Sequence, residues 1–360
     1  MINRECGNYK RTYRSDMALY PVPLQRYTIT AVVFIFYLLF PLLANEYMLN
    51  LASLIGIACI SAIGLNILTG YTGQISVGHA AFMMVGAYTA AILNSRYGVP
   101  FLLCIPAAGI MSALVGSFFG IPSLRIKGLY LAISTLAAQF IIEWVINHWK
   151  WVSGGAFSSI YVNPPDLFGW VPATKDAEAI IRYKYYIIFF LLAIAVVFAL
   201  NLFRSRVGRA FIAIRDNDVS AEIIGINIFR YKITAFALSS FYAGVGGALY
   251  CFYYEVANYE SFTLVISIDY LAMVIIGGMG SVLGAIFGAV FISLLPILLD
   301  IFGKWAGEAF FGGANTEILA NVQVITFGAL IIFFLVVEPE GLNKLWKNIK
   351  DYFRVWPFSY

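Results

Sequence analysis

Eight mostly apolar stretches, at 28–44, 48–69, 77–94, 100–120, 129–147, 185–203, 233–253 and 318–337, each approach the length that crosses a bilayer. A spanning helix needs roughly 20 predominantly apolar residues. Lipid offers no partner to a free backbone N–H or C=O, so a chain of this kind crosses as helices or as a closed barrel. The short period-two alternation of barrel strands is missing here. Charged residues make up 12% of the chain, against about 25% in an ordinary soluble domain. The expected fold is all-α and polytopic: about eight full transmembrane helices, plus a broken or re-entrant pair within 268–302.

The basic residues orient the spans, because loops rich in Lys and Arg stay on the cytoplasmic side. The segment 204–232 carries Arg204, Arg206, Arg209, Arg215, Arg230 and Lys232 and is expected to be cytoplasmic. Counting back places the tail 1–27, with Arg4, Lys10, Arg11, Arg14 and Arg26, and the Arg125–Lys127 turn on that same side. The tail 343–360, with Lys344, Lys347, Lys350 and Arg354, belongs there too. The loops 148–182 and 303–317 are then external, and 28–342 forms one transmembrane domain. The tail 1–27 is read as part of the mature chain, since its polar part is long and no A-x-A site follows.

That parity requires residues 268–302 to enter the membrane and return. A piece such as 268–278 is only about 16 Å long as a helix, about half the hydrocarbon core. The expected arrangement is a half-helix, a break at Gly277, Gly278 and Gly280, and a second helix going back. The stretch Gly70 to His79 has the same character, with three glycines and the polar side chains Tyr71, Thr72, Gln74, Ser76 and His79 in ten residues. Broken helices are where transporters place solute sites, since freed backbone groups are tolerated only in protein or beside a cavity. With one break approached from outside and the other from the cytoplasm, the two suggest an inverted repeat.

The candidate solute-path residues are therefore Tyr71, Thr72, Gly73, Gln74, Ser76, Gly78 and His79, with Gly277, Gly278 and Gly280. Thr135, Gln139 and Glu143 join them, because i, i+4, i+8 spacing puts them on one helix face. The structural alternative is that hydroxyls satisfy backbone groups, glycines permit close packing and His79 is a satisfied core histidine.

The chemistry the chain lacks also narrows its function. There is no G-x-x-x-x-G-K-[ST], no H-E-x-x-H and no nucleophile elbow, so neither nucleotide hydrolysis nor an intramembrane enzyme is supported. The net charge of +4 is scattered and suggests no nucleic-acid surface. Cys6, Cys59, Cys104 and Cys251 have neither metal nor disulfide spacing. Within the basic loop, Asp216, Asn217, Asp218 and Ser220 are good helix-capping residues, and Gly225 is placed to end a short helix. The apolar Val219, Ile223 and Ile224 of that helix need a surface, either a partner protein or lipid.

These residues resemble the branched-chain amino acid permeases of ATP-binding-cassette importers, in their LivM-type form. The pattern runs through Gly64, Asn66, Gly70, Tyr71, Gly73, Ser76, Gly78, His79, Ala80, Ala81, Phe82, Gly86, Ala87 and Tyr88. It continues at 128–137, 208–226 and 271–289 and ends in the Glu338 to Leu342 element, where Glu340 replaces a residue that other members commonly have as basic. The resemblance implies a LivH-type permease partner, two cytoplasmic ATPase subunits and an external amino-acid-binding protein. ATP and Mg would be used by the ATPases, with no cofactor on this chain and no catalytic residue.

The basic loop then resembles a segment that couples to an ATPase, with Arg215, Asp216, Asn217, Asp218, Ala221, Glu222 and Gly225 as its candidates. Of the general E-A-A-x-x-x-G importer motif only Ala221 and Gly225 survive. The implied function is inward transport of branched-chain, hydrophobic amino acids across the inner membrane of a prokaryote, with both termini cytoplasmic. The alternatives are a urea or amide permease of the same family, or a stand-alone sodium-coupled carrier or channel.

Overall fold

The computed structural model describes residues 34–123, 129–153, 159–166, 177–311 and 341–355, with isolated positions in 12–30 and 325–336. Helices dominate: α1 (Glu46–Thr72), α2 (His79–Tyr97), α3 (Phe101–Ser123), α4 (Leu129–His148), α5 (Ala177–Arg204), α6 (Arg206–Asp216), α7 (Asp218–Ile223), α8 (Ile228–Tyr254), α9 (Leu264–Gly277), α10 (Val282–Phe311) and α11 (Leu342–Val355). A helical turn at Phe40–Leu43 precedes them.

Among the described residues, seven helices are long and apolar enough to cross a membrane. The protein is a polytopic helical membrane protein, close to the expected span count. The expected span 77–94 corresponds to α2, which is not one of the seven but is 19 residues long and mostly buried inside the bundle. Most of 318–337, the tail before residue 27 (except Thr12), Arg125, Lys127, Glu340 and parts of 148–182 lie outside the described residues.

Helix α8 is the centre of the bundle, packed by α1, α2 and α3. Small residues make that possible: a Cβ on Gly86 or Gly247 would run into the backbone of Gly244 or Met83 respectively. In lipid, helices associate by such close approach rather than by hydrophobic burial. Helix α5 is peripheral, with only 17% of its most apolar 18-residue stretch buried.

At one end of the bundle, strands β1 (Ser159–Tyr161) and β2 (Val256–Asn258) pair antiparallel. There Lys184 Nζ donates to the last-turn carbonyl of Tyr253 (2.9 Å) and to Glu255 Oε1 (2.7 Å).

The expectations for 268–302 are met in part. The chain does break and return: α9 has 14 residues, about 21 Å, longer than the expected piece but short of the hydrocarbon core, and a separate 3-10 turn at Tyr259–Phe262 precedes it. Helix α10 continues through 303–311, where the sequence predicts a loop. The two glycine breaks are also not opposed. They meet at the same end of the bundle, away from the β1–β2 ribbon, which removes the reason for an inverted repeat.

Candidate functional site

Helix α1 stops at Thr72 because Gly73 turns left-handed, with φ +69°, a conformation open to glycine at no steric cost. Gln74 N–H donates back to Leu68 O (3.1 Å), and Thr72 Oγ1 donates to the same carbonyl (2.6 Å). Thr69 Oγ1 donates to Gln74 O (3.2 Å) and Gln74 Nε2 to Thr72 Oγ1 (3.0 Å). The first break is therefore residues 73–78, shorter than the glycine-rich stretch, since Gly70, Tyr71 and Thr72 remain helical. Gln74 Oε1 is buried there with no protein partner. Tyr71 stacks on Phe203 at the end of α5, ring centroids 3.4 Å apart.

The start of α2 has free N–H groups that the fold must satisfy in a buried place. Side chains from two other helices do so. Val77 N–H donates to Thr135 Oγ1 (3.0 Å), Ala80 N–H to Ser267 Oγ (2.9 Å) and Ala81 N–H to Gln139 Oε1 (2.8 Å). Gln139 Nε2 donates in turn to Phe262 O (2.9 Å). Gly78 is where α4 passes closest, and a Cβ there would collide with Thr135 O. Buried His79 makes a 2.9 Å bond from Nε2 to Ser61 O and meets Tyr270 edge-on. Thr135, Gln139 and His79 thus hold the break in shape. Half-buried Glu143, next on the α4 face, does not join this set.

The second break spans residues 278–281, with Gly278 at φ +115° and Gly280 at φ +81°. It is tied to the first by Asn66, 1% exposed and less than two turns before the end of α1. Asn66 Nδ2 donates to Ser281 O (2.8 Å), and Gly280 N–H donates to Asn66 Oδ1 (2.9 Å). One amide thereby pairs two backbone groups of the turn. Gly70 lies against Gly280 so closely that a Cβ would collide with the Gly280 nitrogen.

Arg215, at the end of α6, closes the arrangement. Its Nη1 donates to Gly70 O (3.0 Å), and it also pairs with Asp216 (Nη2 to Oδ1, 3.1 Å). A Cβ on Gly280 would sit 2.8 Å from Nη1, and one on Gly73 would sit 3.2 Å from Arg215 Cγ. A guanidinium at the C-terminal carbonyls of α1 also opposes the negative end of that helix dipole. On the far side of the second break, a Cβ on Gly341 (φ +63°) would lie 2.5 Å from Ile276 O and 2.6 Å from Gly278 N.

The segment carrying Arg215 is a relay of caps. Ser205 caps α6, Asn217 accepts from Ser220 N–H (3.0 Å) to cap α7, and Asn227 accepts from Arg230 N–H (3.0 Å) to cap α8. Gly225 takes φ +88°, ending α7 left-handed as its position predicts. Val219, Ile223 and Ile224 are 59%, 79% and 72% exposed, whereas Ala221 is buried. Ala221 thus supports this surface from behind, while Glu222, Asp216 and Asn217 are exposed and Asp218 is half-buried.

Sequence reasoning left Asn66, Ser267, Ser281 and Gly341 out of the candidate site. Asn66 had a signal, since an amide inside an apolar span is costly unless it bonds across helices. Ser267 had none, because a serine in a span most often bonds its own helix.

Residues 47–335 match a family model described as the branched-chain amino acid transport system / permease component. The chain is 30% identical over 319 residues to the high-affinity branched-chain amino acid transport system permease protein LivM of Salmonella typhimurium, covering 84% of this chain and 71% of that one. It is 24% identical to the probable LivM permease of Methanocaldococcus jannaschii, covering 80% and 90%. It is 25% identical to the LivH permease of Escherichia coli, covering 82% and 94%. No solved structure matches the chain.

Proposed function

The chain belongs to the branched-chain amino acid transport permease family, and we propose that it carries branched-chain amino acids inward using ATP hydrolysed by partner subunits. The observation that carries this reading is the Arg215 contact. A segment between two spans, with an exposed apolar ridge at Val219, Ile223 and Ile224, reaches directly to the place where both backbone breaks meet. Movement of α6 and α7 displaces Arg215, and Arg215 is bonded to the carbonyl that lies against Gly280.

In this reading the ridge is the docking face for a cytoplasmic ATPase. A LivH-type permease completes the membrane path, two ATPases bind ATP and Mg, and an external binding protein delivers the solute. The reading requires no cofactor on this chain. The density of Lys and Arg in 204–232 supports a cytoplasmic position for that segment, and in this reading both termini lie on the same side of a prokaryotic inner membrane. The Gly70–Gly280 contact then lies toward the cytoplasmic end of the path, and parting it opens the way inward.

The test is uptake and ATP turnover measured together in vesicles that hold all the subunits, with a panel of leucine, isoleucine, valine, urea and short amides. Uptake of the branched-chain amino acids only when the ATPases and ATP are present is the expected result. Uptake by this chain without any ATPase replaces the importer with a carrier or channel, and preference for urea or amides reassigns the solute.

A further inference from the structure

Helix α11 follows Gly341 directly and has two unlike faces. Leu342, Leu345, Trp346, Ile349 and Phe353 recur on one phase of a helical repeat, and Lys344, Lys347, Lys350 and Arg354 on the other, with Asp351 the one acid. The apolar face is only partly used by the protein: Trp346 meets Phe287 of α10 with ring centroids 5.8 Å apart. Leu345, Trp346 and Ile349 remain 42%, 49% and 49% exposed. A short helix with a Trp-containing apolar face and a basic opposite face is suited to lie in the plane of an anionic leaflet.

We propose that α11 rests on the anionic surface of the cytoplasmic leaflet and, through Gly341, sets the position of the Gly278 break according to the anionic lipid it meets. The inference rests on the cytoplasmic placement proposed above. Two separate observations join in it. The first is the face itself, whose charge complements anionic headgroups and whose half-exposed apolar residues begin where α11 leaves the membrane-spanning bundle. The second is the linkage: Gly341 leaves no room for even a methyl group against Ile276 O and Gly278 N. A tilt of α11 therefore acts on the break whose other side is held by Asn66. Lipid is the better occupant than a protein because Trp346 already leans on α10, a membrane-spanning helix, so the open apolar face continues along the surface of the bundle.

The test uses the complete importer in vesicles of phosphatidylethanolamine with increasing phosphatidylglycerol, and a spin label at Ile349 in a chain whose four native cysteines are replaced. With phosphatidylglycerol present, the label should become more accessible to oxygen than to an aqueous nickel chelate, and uptake should change with the anionic fraction. The triple variant Lys347→Gln, Lys350→Gln, Arg354→Gln should need far more anionic lipid for the same protection, about fivefold weaker binding per charge removed. Its uptake should lose the lipid dependence.

A label that stays aqueous at every composition overturns the proposal. So does protection that is lost when the ATPase subunits are left out of the vesicles, which gives the face to them, or a lipid response equal in parent and variant. Reduction of the label by impermeant ascorbate from outside overturns the placement itself. Absence of uptake in every lipid, with the label still lipid-protected, counts against the importer reading and leaves the surface contact standing.

Discussion

Arg215 Nη1 donates to the carbonyl oxygen of Gly70 across 3.0 Å, joining a segment that lies between two spans to the last turn of a membrane-spanning helix. The carbonyls at a helix C-terminus lack intrahelical partners, and here one is satisfied from 145 residues away. The same guanidinium packs against Gly280, so a single side chain touches both interruptions of the membrane backbone.

Arg215→Gln removes this link without touching the exposed ridge of α7. The expected outcome is an assembled complex, normal ATPase capture in a pull-down and ATP turnover that no longer rises with solute, with uptake lost. Arg215→Lys should recover part of the uptake, because a lysine can reach one carbonyl but lacks the fork that also holds Asp216. Loss of ATPase capture by Arg215→Gln would move the residue from linkage to docking.

Asn66→Ala leaves Gly280 N–H and Ser281 O, both part-buried, without their partner. Each polar group left bare costs about 1–3 kcal/mol. The variant should melt at a clearly lower temperature in detergent and should lose uptake. Asn66→Asp keeps an acceptor for Gly280 N–H but sets a buried carboxylate oxygen against Ser281 O, and should melt no higher than Asn66→Ala. A melting temperature equal to the parent's for Asn66→Ala would show that the two breaks stay together without it.

Glycine positions separate steric from conformational need. Gly70→Ala puts a methyl group into the Gly280 backbone and Gly78→Ala puts one into Thr135 O, so both should abolish uptake. Gly98→Ala meets nothing within 4 Å although Gly98 has φ +63°, and its cost is limited to the left-handed strain of about 1–2 kcal/mol. Full uptake by Gly98→Ala with none by Gly70→Ala is the expected pattern in vesicle assays.

The exposed and buried sides of α7 should behave oppositely. Ile223→Asp alters a side chain 79% exposed and should abolish ATPase capture while the melting temperature stays unchanged. Ala221→Glu buries a charge against the neighbouring helices and should lower the melting temperature. Equal capture by Ile223→Asp and the parent would leave the ridge without a partner.

Orientation is checked by single cysteines in a background without the native four. Ser220→Cys should react with an impermeant maleimide only in inside-out vesicles. Tyr161→Cys, on β1 and at a position 79% exposed, should react only from the outside of intact cells. The reverse labelling would invert the whole topology.

Much of this molecule is a consequence of residue type alone. Apolar length decides that the chain spans a membrane, since partitioning into lipid sums over neighbouring residues. The turns at Gly73, Gly225, Gly278 and Gly280 are legible because positive φ is open to glycine without steric cost, and the cap at Asn217 because its side chain bonds within its own turn. The meeting of the breaks was not legible. Asn66 and Gly280 are 214 residues apart, and no local preference records that they touch. Nor did the sequence show that Ala221 faces inward, that Thr135, Gln139 and Ser267 are spent on the start of α2, or that Gly341 wedges the second break. Lipid makes one apolar helix nearly as good a neighbour as another, so the choice among helices falls to close contacts between small residues and to a few hydrogen bonds between helices. Those are properties of pairs of surfaces, and they exist only once the helices are assembled.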